Sequence, residues 1–141
     1  MDWQNVRDAI ETRIVAAHVA ATTVDPTIVL IRGLRNRKEE TPSPALNYLR
    51  AYWRRSDVAR LSQGSRHLQR LLGAVFVAIM LKHQTGDDLV FQIVTAISPS
   101  FATGPDTLEF ETPSQLGDPY LSGEHWLTVV SFPFSHVHAE G

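Results

Sequence analysis

Hydrophobic positions repeat at helical spacing near the N-terminus. Residues 2–21 are predicted to form a helix, because one stripe collects its apolar side chains: Val6, Ala9, Ile10, Ile14, Ala17 and Ala21. The pattern ends before Pro26, since proline lacks an N–H donor and disfavours helix in the preceding residue. The β-branched run 27–31 then predicts a strand. The charged segment 32–44, with its two prolines, predicts a loop that is mobile in the isolated subunit.

A period of two governs the middle of the chain. Large side chains alternate over residues 45–54, which predicts a strand, and residues 55–65 read as a turn or hairpin loop. The apolar run 71–81 also alternates between two sets of side chains: Val75, Val77, Ile79 and Leu81 on one side, with Phe76, Ala78 and Met80 on the other. A glycine and several β-branched residues favour a strand over a helix here. A strand that is apolar on both sides is covered on both sides, by helices or by a neighbouring subunit.

The remaining pattern predicts one more helix and two more strands. Thr85 or Asp87 can cap a helix, and apolar residues recur at helical spacing as far as Ile97. Residues 107–112 and 124–134 read as strands, with a loop at 113–123 and a frayed tail at 135–141. The predicted order is α-β-β-β-α-β-β. We therefore expect a single α+β domain over residues 1–141, with two helices packed on one face of a mostly antiparallel sheet.

Composition narrows the class of protein. The 141 residues suit one domain, and the absence of cysteine excludes disulfides, thiol nucleophiles and cysteine–zinc sites. The charged, amphipathic N-terminus lacks the apolar core of a signal peptide, and no apolar run reaches the ~20 residues that span a bilayer. These features lead us to expect a soluble protein made inside the cell.

Charge is distributed very unevenly along the chain. Residues 32–70 carry a net charge of +7, whereas the rest of the chain carries −9, so the total is −2. Such asymmetry indicates a charged partner, which is either nucleic acid or another copy of the chain. The arginines with Tyr48, Tyr52 and Trp53 could form a nucleic-acid surface, because aromatic rings stack on bases. The simpler interpretation places the aromatics in the core and the arginines at an edge facing solvent or a subunit.

Catalytic and metal-binding patterns are weak. His136 and His138 could share a strand face near Glu124 and His125, yet no spacing fixes a third ligand, so a solvated tail is the preferred interpretation. Carboxylates at Glu109 and Glu111 fit an exposed strand face better than an acid–base pair. The sequence contains no nucleophile elbow, Walker loop, zinc-protease helix or dinucleotide-binding glycine pattern. We therefore expect neither an enzyme nor a bound cofactor or metal.

A series of short motifs resembles one protein family. They are the helix at Val6–Arg13, the strand at Leu71–Leu81, the helix start at Thr85–Asp88, the strand at Leu108–Ser114 and the closing strand at Val130–Phe134. Their order and spacing resemble the tail-terminator proteins of lambda-type phages with long non-contractile tails, and their relatives in prophages and gene transfer agents. The resemblance extends over nearly the whole chain. The charged segment 32–44 is an insertion relative to that pattern.

The resemblance implies a structural virion protein. Such a protein forms a homohexameric ring on the finished tail tube, stops polymerisation of the major tail tube protein and offers a surface for a head-completion or stopper protein. DNA passes through the ring without sequence-specific binding, and no membrane is involved. The implied location is the head-proximal end of the virion tail, with assembly in the host cytoplasm. The alternatives are a head–tail connector (a neck or completion protein) and, from another class, a small cytosolic enzyme or ligand-binding domain.

A ring needs a heterologous interface, in which one patch meets a different patch on the next copy. Opposite charges on one chain suit such an interface. We predict that basic residues contact acidic residues of a neighbouring subunit or the tail tube rather than DNA. The basic residues are Arg35, Arg37, Lys38, Arg54, Arg55, Arg60 and Arg66. The acidic residues are Asp106, Glu109, Glu111 and Asp118.

Overall fold

The computed structural model describes residues 3–32, 46–60, 67–82, 87–102, 108–110, 115–122 and 125–140. The helices are α1 (Trp3–Ala21) and α2 (Asp87–Ile97), and a short 3₁₀ helix (Ser98–Phe101) follows α2. The strands are β1 (Val29–Arg32), β2 (Tyr48–Arg60), β3 (His67–Leu81), β4 (Leu108–Phe110), β5 (Gln115–Leu116), β6 (Tyr120–Ser122) and β7 (His125–Glu140). The fold is α+β, as predicted. No helix in these ranges is both long and apolar enough to cross a membrane.

The described strands form one sheet in the order β1-β2-β3-β7-β4, and β5 and β6 pair with β7 on the same side as β4. Every pairing is antiparallel except β1 with β2, which is parallel. Three long strands, β2, β3 and β7, make up most of the sheet. Four strands are joined by one row of paired residues: Val58 of β2, Leu71 of β3, His136 of β7 and Leu108 of β4. Beyond this row, β3 and β7 remain paired for four more residues, a length of ~13 Å.

Both helices pack on the same face of the sheet. The apolar stripe of α1, in which Ala9 is only partly buried, packs with the inward side of α2, which includes Ile93 and Ile97, against Val75, Ile79 and Val130 of the sheet. The two predicted sides of β3 are therefore confirmed. Val75, Val77, Ile79 and Leu81 face the helices, whereas Ala78 and Met80 belong to a smaller apolar cluster on the opposite side. We call that opposite side the helix-free face, because none of the described helices packs on it.

Three predictions about irregular segments are wrong. Residues 55–60 are not a turn but the second half of β2, which continues through a bulge between Arg55 and Asp57. The predicted loop at 113–123 contains β5 and β6. The predicted frayed tail is also incorrect, since residues 135–140 lie in β7 and the His136 side chain is 1% exposed. In all three places, pairing with a neighbouring strand overrides the polar local sequence. The predicted mobile loop at 32–44 lies outside the described residues from position 33 onwards.

Gly73 marks a close approach between β2, β3 and β7. A Cβ atom at this position would lie 2.6 Å from the backbone oxygen of Arg54 and 2.7 Å from Cζ of Phe134. The Phe134 ring fills the space that a side chain at Gly73 would need. It also lies near Trp53, with 6.4 Å between ring centroids. Glycine is therefore required here by packing, and this packing fixes the part of β2 that carries Arg54 and Arg55.

A hydrogen-bonded carboxylate fixes the starts of β1 and β2. The Asn47 amide donates to Asp25 at 2.7 Å, the Thr27 hydroxyl donates to it at 2.8 Å, and the Asn47 oxygen accepts from the Lys82 backbone N–H at 2.9 Å. Burial raises the pKa of Asp25, but the hydrogen bonds from Asn47 and Thr27, with the charge of Lys82, outweigh it and leave the pKa below its ordinary value. The ionised carboxylate therefore contributes to holding these strand ends together.

Candidate subunit interface

Arg54 and Arg55 are neighbours on β2, just beyond Ala51, the last residue of β2 that pairs with β1. Both side chains are exposed, and their pairing partners on β3 are Ala74 and Gly73. The Arg54 guanidinium lies 5.5 Å from the centroid of the Tyr52 ring, which is within the range of a cation–π contact. Strand alternation directs Arg54 to the helix-free face and Arg55 to the helix-covered face. The sheet edge at this level therefore carries one arginine on each face.

The predicted acidic residues that the structure describes lie on the opposite edge. Glu109 is exposed in β4, between Leu108, which is buried under the helices, and Phe110. It therefore points to the helix-free face, as Arg54 does. Asp118 is exposed in the connection between β5 and β6. Since β2 and β4 are separated by β3 and β7, the two charged edges are three strand spacings apart, or ~14 Å. Within one subunit the structure does not bring Arg54 and Glu109 together.

The helices fix the position of β4. Arg13 of α1, which is buried, lies with its guanidinium 5.2 Å from the centroid of the Phe110 ring. The same ring is 5.8 Å from Phe134 and 6.0 Å from Phe101, centroid to centroid. These contacts anchor one side of β4 in the core. The other side, with Glu109, is held outward in a defined position.

The other predicted interface residues divide into two groups. Arg60 is the last residue of β2. The remaining positions lie outside the described residues: Arg35, Arg37, Lys38, Arg66, Asp106 and Glu111. The predictions for this second group stay predictions.

Three predicted aromatics lie in different surroundings, which does not favour a base-stacking platform. Tyr48 is buried and its ring meets His125 edge-on at 5.8 Å. Trp53 points to the helix-covered face and packs against the core. Tyr52 is half-buried on the helix-free face, where its ring stacks on Phe76 at a centroid distance of 5.2 Å and an interplanar angle of 15°.

The helix-free face has a buried part and a half-exposed part. Its buried part is a small apolar cluster made by Ile31, Tyr48, Ala78, Met80 and Leu127. Towards the Arg54 end, side chains of β2, β3 and β7 are only half-buried. They are Tyr52, Ala74, Phe76, Val129 and Pro133. This strip combines flat aromatic and small apolar surface, which is the composition of an interface core.

A further group of exposed apolar side chains was not predicted from the sequence. Leu116 of β5 is 41% exposed, and Tyr120 and Leu121 of β6 are 53% and 59% exposed. They lie along the same side of β7 as β4, and Gly117 holds the connection between β5 and β6 to this edge by donating its N–H to the Val129 carbonyl at 2.9 Å. The available signal was the pair of apolar residues on either side of Gly117-Asp118-Pro119 within a polar segment.

The histidines do not converge on a metal site. His125 and His136 lie near opposite ends of β7, eleven residues or ~36 Å apart along the strand. His125 Nε2 is 2.9 Å from the Leu46 carbonyl oxygen, which links the start of β7 to the chain entering β2. In the ranges given above, no group of three or more potential ligands is placed to hold a metal ion.

Comparison with known proteins establishes the fold alone. The sequence matches no protein-family model, and no curated protein is similar to it in sequence. Solved structures do share its architecture. One of them, a protein whose name states no function, has a TM-score of 0.62 and 21% sequence identity, with 96% of this chain and 96% of that chain covered. The α+β arrangement thus recurs across nearly the full length of another chain.

Proposed function

We propose that this protein is a tail terminator: a structural virion protein that caps the completed tail tube of a lambda-type phage, prophage or gene transfer agent as a homohexameric ring. It stops polymerisation of the major tail tube protein and presents a surface to a head-completion or stopper protein. DNA passes through the ring. The site of action is the head-proximal end of the tail, after assembly in the host cytoplasm.

The observation that carries the proposal is the one-sided covering of the sheet. Both described helices pack on the same face, while the other face exposes a strip containing the stacked rings of Tyr52 and Phe76. An apolar strip of this kind, bordered by an arginine, is suited to a protein partner. The order of sequence motifs favours a tail terminator, and the α+β fold is compatible with it.

The position of the charges adds a second argument. A DNA conduit lined by many arginines would hold phosphates with a strongly salt-dependent attraction. Arg54 and Arg55 lie instead at a sheet edge, next to apolar surface, and Glu109 lies at the other edge. This arrangement is suited to contact between copies of a chain.

The test is a tail-tube growth assay with purified major tail tube protein. We expect the added protein to arrest elongation and to decorate tube ends. Tubes that grow unchanged with bare ends would contradict the proposal. Binding to filled capsids but not to tubes would assign the protein to the neck or head-completion class instead.

A further inference from the structure

Two surfaces of the subunit combine apolar area with opposite charges. The first is the strip of half-buried side chains on the helix-free face: Tyr52, Ala74, Phe76, Val129 and Pro133. Arg54 lies at its border, with the guanidinium 5.5 Å from the centroid of the Tyr52 ring. The second surface is the segment 116–121, which reads Leu-Gly-Asp-Pro-Tyr-Leu and is exposed at every position. The carboxylate of Asp118 lies among the apolar side chains of this segment.

We propose that the strip on the helix-free face binds the segment 116–121 of a second copy of this chain. This inference rests on the proposed ring, and it specifies the two surfaces that build the ring. Because the strip and the segment are different surfaces, the contact is heterologous, and it closes into a ring when the rotation between copies is suitable. In a closed ring each copy makes the contact twice, once through its strip and once through its segment.

Charge complementarity identifies a second copy as the occupant of the strip. The strand register keeps the two surfaces of one subunit apart, since Gly117 is level with Arg50 of β2 across β7 and β3. Arg54 lies four residues farther along β2, or ~13 Å, and β2 is three strand spacings, or ~14 Å, from β5. The Asp118 carboxylate is therefore too far from Arg54 of its own subunit for an ion pair, and the two charges can meet only between copies.

The segment 116–121 is held in a defined position. Leu116 pairs with β7 at one end and Tyr120 pairs with β7 at the other, while the Gly117 N–H donates to the Val129 carbonyl at 2.9 Å between them. Tyr120 and Leu121 nevertheless remain 53% and 59% exposed. A surface that is already ordered in the free subunit loses little conformational entropy on binding.

The strip provides a flat apolar surface for this segment. The rings of Tyr52 and Phe76 stack at a centroid distance of 5.2 Å, and in the next row of the sheet Arg54, Ala74 and Pro133 lie side by side on β2, β3 and β7. Exposed ion pairs alone contribute little to association. Burial of apolar side chains from both surfaces therefore supplies most of the driving force, and the opposite charges select how the two surfaces meet.

Cross-linking provides a direct test, because the chain contains no cysteine. Ala74→Cys places one thiol in the strip, and Tyr120→Cys, in a second chain, places one thiol in the segment. Circular dichroism and thermal unfolding establish that both variants are folded. The two variants are mixed, free at high concentration and with tail tubes, and treated with a short bismaleimide. In the control mixture Gln92→Cys, at an exposed position of α2, replaces Tyr120→Cys.

We expect covalent dimers that join one Ala74→Cys chain to one Tyr120→Cys chain. These dimers should be absent from the control mixture, and neither variant alone should form a dimer, because a heterologous contact keeps identical positions apart. Mass spectrometry of the cross-linked peptides identifies the joined positions.

Charge reversal tests the pairing of Arg54 with Asp118. Arg54→Glu alone and Asp118→Arg alone should each need at least about fivefold more protein than the parent to assemble in native mass spectrometry, because like charges then meet at every contact. The chain with both substitutions should assemble like the parent. Arg7→Glu, which makes the same charge change at an exposed position of α1, should have no effect.

Other outcomes separate the inference from the proposed function. If the parent assembles but the mixture gives no mixed dimers, the contact is wrong although a ring can still exist. Dimers that join two Ala74→Cys chains would place strip against strip and would also overturn the inference, as would a double charge variant that assembles no better than Arg54→Glu alone. A parent protein that never self-associates, in solution or on tube ends, contradicts both the inference and the proposed function.

Discussion

Gly73→Ala offers a sharp test of the packing that positions Arg54 and Arg55. The new Cβ would lie 2.6 Å from the Arg54 backbone oxygen, which is 0.4 Å short of the 3.0 Å that real Cβ contacts respect. It would also lie 2.7 Å from Cζ of Phe134. The ring can rotate away at some cost, but the backbone oxygen moves only if β2 shifts relative to β3. Overpacking of this kind costs about 1–3 kcal/mol.

The assay is urea unfolding of the parent and of Gly73→Ala, with Gly117→Ala as the matched control. A Cβ at Gly117 meets its nearest neighbour, the Val129 oxygen, at an ordinary 3.4 Å. We expect the control to lie within about 0.5 kcal/mol of the parent. A loss of 1–3 kcal/mol corresponds to about 3–10 °C in melting temperature for a domain of this size.

A double substitution apportions the clash between its two sources. In a Phe134→Leu background the ring contact is absent, so Gly73→Ala should cost less than it does in the parent, and the remaining cost reports the Arg54 oxygen. The reasoning is refuted if Gly73→Ala unfolds like the Gly117→Ala control. It is also refuted if the cost is the same in both backgrounds, because the Phe134 ring would then not be an obstacle.

Three further predictions address other parts of the structure. Asn47→Ala should destabilise the fold by about 1–3 kcal/mol at pH 7 in urea unfolding, because Asp25 loses a donor. The folded pKa of Asp25 lies below its ordinary value of 3.8, so the stability that the ionised carboxylate contributes is present above about pH 4 and is lost as the pH falls through the folded pKa. The parent should therefore lose more stability than Asn47→Ala between pH 5 and pH 3. Parallel pH profiles of the two proteins would contradict this. Removal of residues 135–141 should lower the free energy of unfolding by several kcal/mol in the same assay, because this removes the buried His136 and its strand pairings. Removal of residue 141 alone should leave the stability unchanged, and equal stability of the two truncated chains would contradict the structure. Leu121→Ser, at a side chain that is 59% exposed, should leave the melting temperature unchanged but weaken assembly in native mass spectrometry, and unaltered assembly would remove this residue from the interface.

Sequence reasoning predicted the elements whose pattern is local. The helices α1 and α2 have clear stripes, and the two-sided alternation around Val77 identified β3 as a strand with two apolar faces. It failed where pairing with a distant strand decides the conformation. The second half of β2 contains a bulge between Arg55 and Asp57, which breaks the period of two. The end of β7 is mostly polar, and Ser135 and His136 are buried where β7 pairs with β3 and β4.

For the candidate interface, too, the sequence predicted local features but not those that depend on contacts between distant segments. The sequence singled out Arg54, Arg55 and Glu109 because of their charge. It could not show that these residues occupy opposite edges of one sheet, since the strand order β2-β3-β7-β4 results from contacts between segments distant in the chain. The apolar side chains of Leu116 and Leu121 were missed because the strands that carry them are only two and three residues long.

The most direct test of the account is electron microscopy of the purified protein, free and mixed with tail tubes. The account predicts closed rings with a central opening, most of them built from six copies, either in solution at high concentration or at one end of each tube. Rings on tube ends should be less abundant with the combined Arg54→Glu and Arg55→Glu substitutions. A protein that remains monomeric and leaves the ends of all tubes bare would contradict the central claim.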